Sequence, residues 1–140
     1  MSAWGDIVAR ERMVADAFVY ICGSRSLHLI KVGWSKGEQK TLRVKTLNKD
    51  GYAGATDWLL LYERKYKNSG RVEFDAHTKL RSYIVRSDYE RLAHGVKVRA
   101  QEVFCCNYED AFTAVESTNE EALEARYERP ENRGNFNYRI

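Results

Sequence analysis

Residues 18–33 constrain this chain more than any other stretch. Two short apolar runs, 18–22 and 28–33, flank a polar turn containing Gly23 and Ser24. Side chains alternate across a strand with a period of two, so such a pair of runs closes as an antiparallel hairpin. The alternation puts Val19 and Ile21 on one face and Phe18, Tyr20 and Cys22 on the other. In the second strand Leu29, Lys31 and Gly33 share a face, and Ile30 and Val32 take the opposite one. Lys31 is thus a charged residue inside an apolar strand. Alone, it reads first as a lysine snorkelling to solvent at a sheet edge, and second as a chemical group.

The next segment, 36–48, carries Lys36, Lys40 and Arg43 at helical spacing on a similar face, with Leu42 and Leu47 turned inward. Asn48 and Gly51 supply its stop. Residues 58–66 (WLLLYERKY) predict a strand whose front half is almost continuously apolar, as in a central strand covered on both faces. Residues 69–83 predict a helix with Ser69 as N-cap and Val72, Ala76, Leu80 and Tyr83 as its apolar stripe. Glu73 and His77 stand one turn apart on it, so they lie one above the other.

The remaining pattern is weaker. Residues 3–15 read as a short amphipathic helix, used either against the body or in a dimer contact. Residues 84–95 read as a loop with a short helical turn. Residues 96–106 read as a last strand with Val96, Val98, Val103 and Phe104 in the core, and 108–127 as helix, hinged near 117–119. The end holds the chain's one proline and reads as an extended tail. The expected organisation is an N-terminal helix over 1–16, a main domain over 17–115, and an acidic helix and tail over 116–140.

Charge is divided along the chain. The net charge of +3 conceals a body, residues 17–107, with seventeen basic and nine acidic side chains, net +8, and an end, 108–140, of net −4. A basic body is what nucleic-acid affinity needs, because each phosphate contact by Lys or Arg releases counterions. A solvated charged face explains the same numbers equally well. No apolar run approaches the length of a membrane span, and the charged first sixteen residues do not make a signal peptide. Cys22, Cys105 and Cys106 lack metal-type spacing and predict reduced core or near-core thiols of a cytoplasmic protein.

Phosphodiester hydrolysis needs few parts: a group that takes a proton from water, a cation on the non-bridging oxygens, and a divalent ion held by a carboxylate. Tyr20 and Lys31 on paired strands, Arg43 on the next helix and Glu73 on the one after offer those parts. Arg43 suits phosphate because its planar fork is always charged. Glu73 suits Mg²⁺ (or Mn²⁺), since hard cations take oxygen ligands. Lys31 serves either as the cation beside the phenol or as the base itself.

At these residues the chain resembles the GIY-YIG nuclease superfamily. Phe18-Val19-Tyr20 stands for the first motif and keeps its tyrosine. Lys31-Val32-Gly33, eleven positions after that tyrosine, stands for the second, keeping the glycine and replacing the tyrosine with lysine. Trp34-Ser35, then R-x-x-x-L-N over 43–48, resembles the arginine helix, and GYAGATDW over 51–58 resembles the loop of small bacterial and phage members. Glu73-x-x-x-His77-x-x-Leu80 resembles the helix with the metal-binding glutamate, and Glu102-Val-Phe a strand of the phage-associated branch. The resemblance spans about 17–115. It implies an α/β (α+β) domain with a central three-stranded, mostly antiparallel sheet flanked by helices. It also implies a DNA endonuclease with one divalent ion on Glu73, water activation by Tyr20 assisted by Lys31 or His77, and Arg43 on the scissile phosphate. Lys36, Lys40, Lys45 and Trp34 are the expected nucleic-acid contacts. Restriction or phage defence is the implied setting, with a homodimer or recruiting protein as further partner. The family's late asparagine has no clear counterpart; Glu102 and Asn107 are the polar groups nearest its place. Two other classes fit the residues. One is a non-catalytic nucleic-acid-binding module using the basic middle with Trp34, Tyr52 and Trp58. The other is a protein-interaction domain whose acidic end covers the basic site.

Overall fold

The computed structural model of the chain describes residues 16–36, 42–90, 92, 97–100, 103–117 and 122–128. In chain order the elements are β1 (Ala17–Ser24), β2 (Leu29–Ser35), α1 (Leu42–Asp50), a 3-10 turn (Tyr52–Gly54), β3 (Trp58–Tyr66), α2 (Ser69–Lys79), a second 3-10 turn (Arg81–Tyr83), β4 (Ser87–Glu90), β5 (Lys97–Ala100), β6 (Val103–Phe104), α3 (Tyr108–Glu116) and β7 (Ala122–Glu128). Among the described residues the strands form a five-stranded sheet in the order β6-β2-β1-β3-β7, with β4 and β5 paired separately. Every ladder is antiparallel. This is an α+β domain, and the expected three-strand centre, β2-β1-β3, is extended by one strand on each side.

The hairpin forms because both runs alternate and both are buried. It sets Tyr20 opposite Gly33 and Cys22 opposite Lys31. Its turn is fastened by Asp57. The Asp57 carboxylate accepts from Ser24 Oγ at 2.6 Å, the Ser26 amide at 2.8 Å and Ser26 Oγ at 3.0 Å. Burial alone would raise this carboxyl, but the hydrogen bonds outweigh it and hold the group below its ordinary range.

The two faces of the sheet are built differently. On one, Val19, Ile21, Ile30, Val32, Leu61, Tyr62 and Tyr66 pack with Val72, Ala76 and Leu80 of α2 and with Tyr108, Ala111 and Val115 of α3. On the other, Tyr20, Cys22, Leu29, Trp58 and Leu60 pack under Val44 and Leu47 of α1, with Tyr89 of β4 and Ala100 of β5 alongside. The end of α1 is tied to β3 by Asn48, whose Oδ1 accepts from the Trp58 amide at 2.7 Å and whose Nδ2 donates to the Trp58 carbonyl at 3.1 Å. Gly51 then turns the chain with φ 66°, a left-handed conformation that ends the helix at the expected stop.

A β-bulge in β3 decides which side chains reach which face. Ile21 pairs with Tyr62 and Cys22 with Leu60, so Leu61 has no partner of its own. Leu61 and Tyr62 therefore both enter the α2–α3 core. Ahead of the bulge the even positions Trp58 and Leu60 face α1. Beyond it the parity is reversed, and Glu63 comes opposite Tyr20.

Several expectations are corrected. Lys31 is not at a sheet edge: β2 lies between β1 and β6, and Lys31 pairs with Val103. Residues 87–90 are a strand, because 97–100 pairs with them. The single strand expected over 96–106 is two, β5 and β6. The helix expected over 108–127 ends at Glu116, and residues 122–128 instead add a strand to β3. Lys36 is not helical, since α1 begins at Leu42. Asn68, not Ser69, precedes the first helical residue of α2, and Ser69 is buried inside its first turn. The N-terminal helix, Lys40, Val96, Glu102 and the tail fall outside the described residues.

Candidate active site

The hairpin's inner face carries Tyr20, which is 1% exposed. Its hydroxyl oxygen accepts from Lys31 Nζ at 3.0 Å and from Arg43 Nε at 3.2 Å. Three elements thus meet on one oxygen: β1 supplies the phenol, β2 the ammonium and α1 the guanidinium. Lys31 is 1% exposed, whereas Arg43 is exposed, so the cluster is closed at its base and open to solvent at the arginine.

Gly33 makes the cluster possible. A Cβ placed there would lie 2.4 Å from both Cζ and the hydroxyl of Tyr20. The phenol rests directly on the glycine backbone, a space that no other residue leaves. Lys31 Nζ is also 4.9 Å from the Tyr20 ring centroid and 5.2 Å from that of Tyr52. Tyr52, from the turn after α1, is itself set edge-on against Trp58 and Tyr89. Both rings lie within cation–π range of the ammonium.

Buried charge dominates the electrostatics here. Taking an ammonium out of water costs several kcal/mol, and a hydrogen bond from it to a neutral phenol returns only about 1.5–3 kcal/mol. The face also holds a carboxylate that the sequence reading missed. Glu63 is 0% exposed and stands opposite Tyr20 in the β1–β3 ladder. The Cys22 thiol reports the same neighbours: burial pushes it up to about 12, with Lys31 and Arg43 opposing the rise and Glu63 adding to it. The available signal was one acidic residue in the apolar run of β3, but the bulge conceals which face it joins.

Glu73 and His77 come from α2, whose apolar stripe packs on the opposite face. Their link to the cluster runs through β2. The ladder of β2 with β6 stops at Lys31, and the next carbonyl, Val32, accepts from His77 Nε2 at 2.8 Å. A carbonyl only accepts, so Nε2 carries the proton. Glu73 Oε2 is 4.0 Å from the same nitrogen, and the Glu73 side chain is 9% exposed. Lys31, not His77, is the group seen on the Tyr20 hydroxyl. The structure thus brings Tyr20, Lys31, Arg43 and Gly33 into contact and hangs Glu73–His77 on the residue between Lys31 and Gly33.

The donor set at Glu73 fits magnesium. It is one buried hard-oxygen carboxylate, and Mg²⁺ takes one or two carboxylates while keeping several waters. Among the described residues no group of three or more His, Cys, Asp or Glu gathers as a metal cage, and a site resting on a single carboxylate requires none.

Of the expected nucleic-acid contacts, Lys36 and Lys45 are exposed. Trp34 is half-buried and its Nε1 donates to Ser69 Oγ at 2.8 Å, so its indole fastens β2 to α2. Asn107 caps α3, accepting from the Asp110 amide at 2.8 Å. Cys22 and Cys106 are buried free thiols and Cys105 a half-buried one. Among the described residues no helix is long and apolar enough to cross a membrane.

Comparison with known proteins returned no match among curated proteins or among solved structures. Residues 17–119 match the T5orf172 domain, a family associated with nuclease domains. The match starts at β1, runs past α3 and takes in every residue of the cluster. The chain belongs to the T5orf172 domain family.

Proposed function

We propose that this chain is a divalent-metal-dependent endonuclease of the GIY-YIG type that hydrolyses phosphodiester bonds in DNA. The observation that carries this reading is the Tyr20 hydroxyl, which accepts from two cationic donors at 3.0 and 3.2 Å over a glycine. In this reading Lys31 and Arg43 fix the phenol oxygen in place, and Tyr20 orients the attacking water and takes its proton. Arg43 reaches Tyr20 through Nε, and it would meet a non-bridging phosphate oxygen through its terminal nitrogens. His77 fixes α2 against Val32 and so sets the position of Glu73 relative to β2. A Mg²⁺ or Mn²⁺ ion held by Glu73 would supply charge neutralisation at the leaving oxygen. Lys36 and Lys45, both exposed, would serve as further phosphate contacts. Restriction or phage defence belongs to the same proposal, as does the cytoplasmic setting.

The test is plasmid cleavage with Mg²⁺ or Mn²⁺ by the full chain and by Glu73→Ala and Arg43→Ala. Each variant should lose at least about 10²-fold in rate, the usual cost of removing one preorganised charge from a transition state. Cleavage that survives both substitutions would remove the site assignment. DNA binding without cleavage under either metal would leave a binding module instead.

A further inference from the structure

We propose that Glu63 is the counter-charge of this site, a positioning residue that holds Lys31 and Arg43 in place and sets the charge presented to the phosphate. The proposal rests on the nuclease reading for the identity of the ligand, and on geometry for the rest.

Three observations carry it. First, Glu63 is a fully buried carboxylate, 0% exposed, on the face where Lys31 is a fully buried cation. Second, β1 carries both pairings: Cys22 stands opposite Lys31 and Tyr20 opposite Glu63, so anion and cation flank one strand within two residues of each other. Third, the β3 bulge at Leu61 puts Glu63 there. With uninterrupted alternation from Leu60 it would face the α2–α3 core. A bulge beside a site is a device for re-aiming a side chain.

The charges explain the use. The groups that bear on Cys22 are Lys31, Arg43 and Glu63, two cations and one anion. Glu63 offsets one of the two positive charges that Lys31 and Arg43 bring to the Tyr20 face. Without Glu63 the site would hold phosphate more tightly and lose the alignment of its donors on Tyr20. Glu63 therefore trades affinity for geometry, which is the direction that favours turnover over ground-state binding.

The experiment compares the wild-type chain, Glu63→Gln and Glu63→Asp. DNA binding is measured in EDTA across a salt series, and cleavage is measured with Mg²⁺. Glu63→Gln should bind more tightly, with a steeper salt slope, because the net positive charge facing the phosphate rises. Its KM should fall while kcat falls about tenfold or more, a split that general loosening does not produce. Glu63→Asp, which restores the charge, should return the salt slope to the wild-type value. Glu63→Gln binding with unchanged or weaker affinity and unchanged slope overturns the proposal. Thermal melting supplies the second arm. Adding Lys31→Gln to Glu63→Gln should recover part of the lost melting temperature, because the buried cation goes with its partner. Additive losses overturn the pairing even where the single variant folds too poorly to assay. A wild-type chain that never cleaves, with Glu63→Gln still binding more tightly, would defeat the nuclease reading and leave Glu63 as the counter-charge.

Discussion

Tyr20 on one face of the sheet and Tyr62 with Tyr66 on the other show how differently a single side chain is used. Tyr62 and Tyr66 hydrogen-bond to each other at 3.0 Å inside the α2–α3 core. Burial raises both phenols, and Tyr66 rises further because Tyr62 lies beside it. They remain neutral and serve packing. Tyr20 is no less buried, yet its oxygen takes hydrogen bonds from two cations. Even the nearby cation differs. Arg64 lies over the Tyr66 ring at 5.6 Å and is held by Glu116 at 2.9 Å, so it closes a structural network. Arg43 is held by the phenol itself, at the open side of the cluster. Burial thus silences one pair of tyrosines, and donor placement equips the third.

Gly33→Ala is the substitution that should break the comparison most sharply. The added methyl overlaps the Tyr20 ring at 2.4 Å and has to drive it off Lys31 and Arg43. A displacement near 1 Å costs on the order of 10²-fold in rate, so cleavage should fall by at least that factor while circular dichroism stays native. Lys31→Met is next. It keeps the volume of the stem and removes one of the two donors, and cleavage should fall by roughly 10²-fold. If either variant cleaves like wild type, Tyr20 has no more function than Tyr62.

The corresponding change on the other face is Tyr66→Phe. It removes one hydrogen bond, so it should cost about 1 kcal/mol in urea unfolding and leave cleavage within about twofold of wild type, the scatter of changes remote from the chemistry. A large loss of rate would mean that the two faces are coupled through β3 and β1, against the division drawn here.

The parts that were legible in the sequence are local. Period-two alternation sorted the faces within β1 and within β2, which put Lys31 with Gly33; that Tyr20 shares their face was implied by the resemblance, and the register of the hairpin shows it. One helix after the hairpin then brought Arg43 within reach. The illegible parts depend on partners far along the chain. Lys31 reads as an edge residue until Val103, from β6, pairs with it. The stretch 122–128 is rich in helix formers, yet pairing with β3 overrides that local preference. Glu63 escaped because alternation breaks at Leu61, and a bulge has no signature in WLLLYERKY.

The smallest expected effect lies where both faces begin, at the hairpin turn. Asp57 fastens Ser24 and Ser26, and with them the end of β1 from which both tyrosine environments are set. Asp57→Asn keeps the shape and weakens the charge-assisted bonds, so at neutral pH it should cost roughly 1 kcal/mol. The pH dependence has a fixed sign. The folded carboxyl lies below its ordinary range, so its contribution is present above the unfolded pKa, near about 4. It is lost as pH falls through the folded value. Wild type and Asp57→Asn should therefore differ in melting temperature at pH 7 and converge in acid. A gap that persists well below the carboxylate range would assign the cost to packing in the turn. A gap that closes on acidification would show that one surface carboxylate holds the hairpin on which Tyr20 and Lys31 depend.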